Sequence, residues 1–387
     1  MSERQPPPFD GAPTTNSPHP TGEHPHRHSI YEPEEFLDAP VSETIPERQV
    51  SLARRVLNLR TIGSIVFGIV LIYLLVRVLG ANLDRTLAAV SRANPALLLA
   101  AAVAYYLTFP LRGFRWAYIL RRVGTELPLR PSIEIVFLSW FVNCVVPAKL
   151  GDLYRAYLLK GNYGAPISRT VGTIFIERIA DIVVIFALAL AAGFWSFRGR
   201  NRPEVDTLFL IGFLIAVALV VLVVVLRFQG RRLTAILPSR IGKLYESFHH
   251  GSTGALTLRT LPVIGAATAG VWLLEGLRVY FVIKALAIPA VGLGISSSVF
   301  VALAASLLTA VPLTPAGIGF VQAGVVGALS LYGVAPEFGL AVAAVDWGVS
   351  ILTVIIIGGV LYALSGMVRR AHLAGVAGSG AEPQTPG

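Results

Sequence analysis

Charge is scarce in this chain. Asp, Glu, Lys and Arg supply only 14% of its 387 residues, whereas 54% are hydrophobic. A soluble domain carries about 25% charged residues. With a mean hydropathy of +0.68 and several apolar runs longer than about 18 residues, the composition is that of a polytopic helical membrane protein. The strand alternation of an outer-membrane barrel is missing. Cys144 is the single cysteine, which excludes an intramolecular disulfide, and no Cys/His spacing suits a metal. No G-x-x-x-x-G-K-[ST] motif occurs, so an ion gradient, the membrane potential or nothing drives any transport. No apolar signal-peptide core opens the chain, so its N-terminus is expected to stay where it is made. The net charge of +10 does not indicate nucleic acid, because the arginines sit in short loops between apolar runs, where they orient helices.

Two stretches break the apolar pattern in the same way. In the first, Ser139 to Lys160, an apolar run stops at Pro147 and is followed by Lys149, Gly151, Asp152 and Arg155. Neither half reaches the roughly 20 apolar residues that cross a bilayer. A Pro/Gly break flanked by charge is tolerated at membrane depth only where it lines a polar cavity or is buried in protein. The reading is a re-entrant hairpin with a polar tip. In the second, Ile295 to Leu331, the segment Pro315-Ala-Gly317-Ile-Gly319 overlays Pro147 to Gly151 without a gap, and Gln322 is the strongly polar side chain. Paired Gly/Pro-interrupted segments in corresponding halves point to a transporter binding site, with an inverted repeat as the expected relation. Pro147, Gly151, Pro315, Gly317 and Gly319 are the expected hinges.

The expected architecture is all-α: about six full spans plus two re-entrant broken-helix hairpins. Residues 1–51, rich in Pro and His, form an expected disordered tail. Residues 52–370 form the transmembrane domain and 371–387 a second loose tail. The arginine distribution puts both termini in the cytoplasm of a multi-pass protein of the cell membrane. The second span, read as Ala96 to Leu111, ends at Arg112 and Arg115, which share a helix face. They are either a surface anchor or a cationic pair facing an anionic head group. The span Val171 to Trp195 opens with Glu177, Arg178 and Asp181. Charges there face the interior and take a partner, for instance Arg178 or Arg155 with Asp181. Thr207 to Leu226 is another span, and the basic loop 227–260 has room for a short surface helix. Leu261 to Ala287 holds Glu275 and Arg278, spaced to pair within one helix, and Phe338 to Leu364 carries Asp346.

In order, Asn143-x-x-x-Pro147-x-x-x-Gly151-Asp152-x-x-Arg155, Glu177-Arg178-x-x-Asp181 and Pro315-Ala-Gly317-Ile-Gly319 resemble the motifs of the lysylphosphatidylglycerol synthase transmembrane (flippase-like) domain. The resemblance covers roughly Val56 to Met367 and implies broken helices that move an aminoacylated phospholipid between leaflets. Asp152 replaces the usual Glu, and Phe320-Val-Gln322 stands where an acid often follows the glycines. The large aminoacyltransferase domain of the full synthases has no counterpart, so lysyl transfer is not expected.

The leading expectation is a flippase or transporter of a phospholipid or lipid-linked anionic substrate, not an enzyme, with no cofactor or metal. Arg112, Arg115, Lys149 and Arg155 would grip a phosphate. Asp152, Glu177 and Asp181 would balance them or hold an amino group, with Asn143, Arg178 and Gln322 completing the site. An integral-membrane transferase is weaker, since diphosphate chemistry usually needs clustered Asp for Mg²⁺. A non-transporting partner of an envelope-assembly enzyme is the third reading. A homo-oligomer and a separate synthase partner both stay open.

Overall fold

The computed structural model describes residues 59–146, 150–198, 239–254, 259–288, 293–308 and 317–379, with isolated positions between them. The chain divides into two units, Met1–Ser42 and Glu43–Gly387, and every described residue lies in the second. The expected N-terminal tail, Pro147, Lys149, Pro315 and most of the Thr207 to Leu226 run lie outside the described residues.

The described residues are helical and contain no strand. In chain order the helices are α1 (Leu59–Leu79), α2 (Leu83–Ser91), α3 (Pro95–Tyr106), α4 (Thr108–Arg122), α5 (Leu129–Val145), α6 (Leu150–Tyr163) and α7 (Ile167–Phe197). They continue as α8 (Ser239–Thr253), α9 (Leu261–Ala285), α10 (Ile295–Leu308), α11 (Phe320–Ser330), α12 (Pro336–Trp347), α13 (Thr353–Leu364) and α14 (Gly366–Ser379), with a π-helical turn, Gly348–Leu352, between α12 and α13. Three described stretches are long and apolar enough to cross a membrane: Pro95–Arg122, Leu261–Ala285 and Pro336–Leu364.

The first of these corrects the sequence reading. The span does not end at Leu111. Proline at position 110 lacks an N–H, and its ring crowds the carbonyl four residues back, at Tyr106, so the helix bends there and resumes at Thr108. It then runs on to Arg122, which puts Arg112 and Arg115 inside the bundle rather than at its surface. The Pro336–Leu364 stretch is also interrupted midway, by the π turn. The two bends meet where the Tyr106 hydroxyl and Thr353 Oγ1 share a 2.8 Å hydrogen bond.

α9 is the central helix, packing against α3, α4, α7, α10 and α12. The apolar core falls into two main clusters. One joins α4, α5, α6, α13 and α14 around Trp116, Ile135, Leu138 and Leu158. The other joins α9, α10, α11 and α12 around Val282, Val301, Leu329 and Val342. Each cluster holds one broken element.

In the first, α5 (17 residues) and α6 (14 residues) lie against each other. At ~1.5 Å per residue they are ~25 and ~21 Å long, short of a ~30 Å hydrocarbon core. Asn143 Oδ1 accepts a 2.8 Å hydrogen bond from the Gly151 N–H and satisfies a donor at the start of α6. The second break is made by Gly317 and Gly319, whose φ of 68° and 89° suit glycine. There Gln322 Oε1 accepts from the Gly319 N–H at 2.7 Å. A primary amide therefore caps the outgoing helix at both breaks, from the incoming arm in one and from the outgoing arm in the other.

The basic loop contains the short helix anticipated there, α8, which packs closely on α7 where Gly172 and Gly251 let the backbones meet. At the C-terminus, residues 371–379 continue α14 instead of forming a loose tail, because Ala371 packs on Gly161 and its carbonyl accepts from the Tyr157 hydroxyl.

Glycine 151 tests the close crossing of α5 and α6. A Cβ added there would stand 1.9 Å from the Ser139 carbonyl oxygen, whereas at Gly265 it would meet nothing within 4 Å. Gly151→Ala is expected to cost about 1–3 kcal/mol in detergent unfolding. Gly265→Ala should be neutral or stabilise by up to about 1 kcal/mol.

Candidate functional site: a buried arginine–carboxylate network

Ten ionic side chains from α4, α6, α7, α9 and α12 form two strings. In the first, Arg115 sits between Glu177 at 3.0 Å and Asp181 at 2.6 Å. Arg155 pairs with the other oxygen of Glu177. Arg178 reaches Asp181 at 3.4 Å and grips Asp152 with two hydrogen bonds, of 2.9 and 3.2 Å. In the second, Arg112 donates to Glu275 at 2.9 Å, Arg278 donates to the other Glu275 oxygen at 2.6 Å, and Arg278 forks onto Asp346 at 2.8 and 3.0 Å. Trp272 joins the strings: its Nε1 donates to Asp181 at 3.2 Å while the Arg112 guanidinium lies 5.7 Å from its ring centroid.

Helix geometry explains the grouping. Glu177 and Asp181 are one turn apart on a single face of α7, as are Arg112 and Arg115 on α4. The two faces meet at Arg115, which takes both α7 carboxylates, while Arg112, one turn earlier on α4, turns to Glu275 of α9. Glu275 and Arg278 repeat the arrangement on α9.

Burial decides the energetics. Side-chain exposure is 2% at Arg115, 1% at Glu177 and 2% at Arg155, but 30% at Arg178 and 20% at Asp152. A charge at membrane depth is tolerated when it faces the interior and has a partner. Here five arginines meet five carboxylates, so the network is electrically neutral. Aromatic faces cover what the carboxylates leave: Arg112 stacks 4.5 Å from the Trp140 centroid, Arg155 4.8 Å from Trp116 and Arg278 5.2 Å from Tyr105. Arg155 Nε is a buried donor without a hydrogen-bond acceptor.

Of the residues singled out in the sequence, Arg112, Arg115, Asp152, Arg155, Glu177, Arg178 and Asp181 come together here. Asn143 stands at the hairpin tip, capping the Gly151 N–H just before Asp152. Gln322 caps the second break, and among the described residues no hydrogen bond links it to the network. The Arg178–Asp181 pair forms as anticipated, while Arg155 goes to Glu177 instead. Sequence reasoning gave Glu275 and Arg278 a pairing within one helix and no part in the site. It left Asp346 without a role. The signal was present in all three, since each is an ionisable residue inside an apolar run. Among the described residues no group of three or more His, Cys, Asp or Glu side chains could hold a metal ion.

The profile of the lysylphosphatidylglycerol synthase TM region matches residues 61–358, which include both broken elements and the whole network. The chain belongs to this family. It is a membrane protein. A UPF0104 membrane protein of Methanocaldococcus jannaschii is 33% identical over 222 residues, 57% of this chain and 93% of that protein. One from Methanothermobacter thermautotrophicus is 24% identical over 73% of this chain and 88% of that protein. A glycosyltransferase of Haloferax volcanii, AglD, is 34% identical over 128 residues, 33% of this chain and 20% of AglD.

Removing one partner of a buried ion pair strands the other, at a cost of about 3–5 kcal/mol, whereas replacing both by apolar groups is often neutral. Asp346→Asn is therefore expected to destabilise the detergent-solubilised protein by about 3–5 kcal/mol, and the double variant Arg278→Met/Asp346→Leu to recover most of that loss. Equal unfolding midpoints for Asp346→Asn and wild type would contradict the pairing.

Proposed function

We propose that the protein is a flippase or transporter for a phospholipid or lipid-linked substrate, whose head group crosses the membrane by exchanging partners within the ionic network. One observation carries the reading: five paired arginines and carboxylates lie inside helices that are otherwise apolar. Hydrophobic residues of matching volume would hold such a bundle together at least as well. A stepwise set of cations and anions instead gives a charged head group a succession of partners at membrane depth.

The Arg178–Asp152 pair is the most exposed pair joining helices in the network and lies at the tip of the first hairpin. It is the first point of exchange, with a phosphate replacing Asp152 on Arg178. Arg155, one turn further along α6, offers its spare Nε as the next donor. Since each arginine already has a carboxylate, a phosphate alone displaces one, and an amino group on the same head group takes up the carboxylate released. In this reading Asn143 and Gln322 hold the hinges open to the pathway, and Lys149 adds a cation at the tip. The short helices of both breaks fit two re-entrant hairpins related by an inverted repeat within about six full spans, with both termini cytoplasmic.

The similarity to AglD favours a second reading, a membrane module that serves a separate transferase without moving lipid itself.

Liposomes containing the purified protein and head-group-labelled phospholipids distinguish the two. The transport reading expects labelled head groups to become accessible from the opposite face. Arg155→Ala and Asp181→Asn should each slow this by at least about tenfold, ~1.4 kcal/mol in barrier. Asp152→Asn, at the partly exposed pair, should slow it with little change in folded yield. Movement by all three variants at the wild-type rate sinks the site assignment. No movement by wild type together with stoichiometric capture of one transferase favours the second reading.

A further inference from the structure

A cavity of about 610 Å³ opens between the α3–α4 bend, α5 and α13. Phe109, Ile133, Phe137 and Leu361 line it, and Arg130 and Glu134 stand at one end. The two polar residues differ. Glu134 Oε1 accepts a 2.6 Å hydrogen bond from Ser365 Oγ, whereas Arg130 is exposed and has no carboxylate partner among the described residues. An apolar trough with an exposed cation at its end, beside a carboxylate already held by Ser365, matches an amphiphile with a long hydrocarbon part and a phosphate at its end.

The position of the trough adds to the match. Two of its walls, the bent α3–α4 stretch and α13, belong to stretches long and apolar enough to cross a membrane. From Arg130 to Phe137 along α5 is two turns, ~10 Å, enough for the upper part of an acyl chain. The floor is the edge-to-face contact of Phe109 with Phe137, centroids 4.6 Å apart. One turn further along α4 and α5 lie Arg112 and Trp140, whose stacked contact of 4.5 Å belongs to the ionic network. A thin aromatic wall therefore separates the trough from the charged interior.

We propose that this trough seats one acyl chain of a membrane glycerophospholipid with its phosphate on Arg130, and that it is the side door through which a lipid reaches the network. The second half of the proposal rests on the transport reading, and the first stands without it.

The test uses the full chain in phosphatidylcholine vesicles doped with phosphatidylglycerol bearing a mid-chain diazirine. After irradiation, adducts should concentrate on residues 106–110, 133–137 and 357–361. The anionic probe should label these about two- to fivefold more than the same diazirine on phosphatidylcholine, the range an exposed ion pair supports. Arg130→Gln should abolish that preference and leave the labelling. Ile133→Trp and Leu361→Trp fill the trough from opposite walls. Whichever of them keeps wild-type folded yield should lose the labelling and slow lipid movement. Adducts spread evenly over the exposed apolar faces, or insensitive to both tryptophans, would overturn the proposal, as would equal labelling by the two probes. Trough labelling with no movement of any lipid upholds the seat and removes the transport reading. Movement unaffected by a tryptophan that abolishes labelling upholds the seat and removes the side door.

Discussion

An ionised side chain in a low-dielectric bundle must be matched by an opposite charge at hydrogen-bonding distance, and the arrangement of the central helices follows from that requirement. Arg115 shows it most plainly. It is almost fully buried and donates to Glu177, Asp181 and the Thr268 hydroxyl, and so binds α4 to α7 and α9. Arg278 does the same between α9 and α12. The helices that meet around α9 are held in register by pairs whose separation or slippage would leave a bare charge in an apolar interior.

The same constraint suits the opening that the proposed transport requires. Apolar packing is insensitive to which neighbour supplies the surface, but an arginine fork distinguishes a carboxylate from nothing and accepts a phosphate in its place. In the proposed transport reading, a neutral network with one partly exposed pair at a hairpin tip is closed at rest and responsive to a head group. The bends support this arrangement. The break at Pro110 and the π turn after Asp346 lie within about a turn of Arg112 and Asp346, and the Tyr106–Thr353 hydrogen bond ties them together.

Much of the site was legible because the bilayer makes charge conspicuous. Glu177, Arg178 and Asp181 in an apolar run, and Asp152 and Arg155 after a proline, each needed a partner on any reading. What hydropathy could not show was which partner. Arg112 looks like the end of a span because its neighbours in sequence are polar, yet its carboxylate is Glu275, on another helix. Asp346 looked isolated because Arg278 is reached only through the fold. Asn143 drew attention through the family motif and Gln322 as the strongly polar side chain of its segment, and their bonds to Gly151 and Gly319 show the backbone need that places them there. The C-terminal helix was missed because its small residues suggested looseness, whereas a small residue at Ala371 is what lets α14 seat on Gly161.

The central claim is that the network lies on a pathway open to aqueous head groups rather than sealed as a structural lock. Thiol accessibility tests this most directly, since the one native cysteine, Cys144, is buried and can be replaced. In a Cys144→Ala background, Asp152→Cys and Thr268→Cys should react with a membrane-impermeant thiol reagent, and Val360→Cys, on the exposed apolar face of α13, should not. If position 268 proves as inert as position 360 while position 152 reacts and the protein remains folded, the network is a lock and the account of a pathway is wrong.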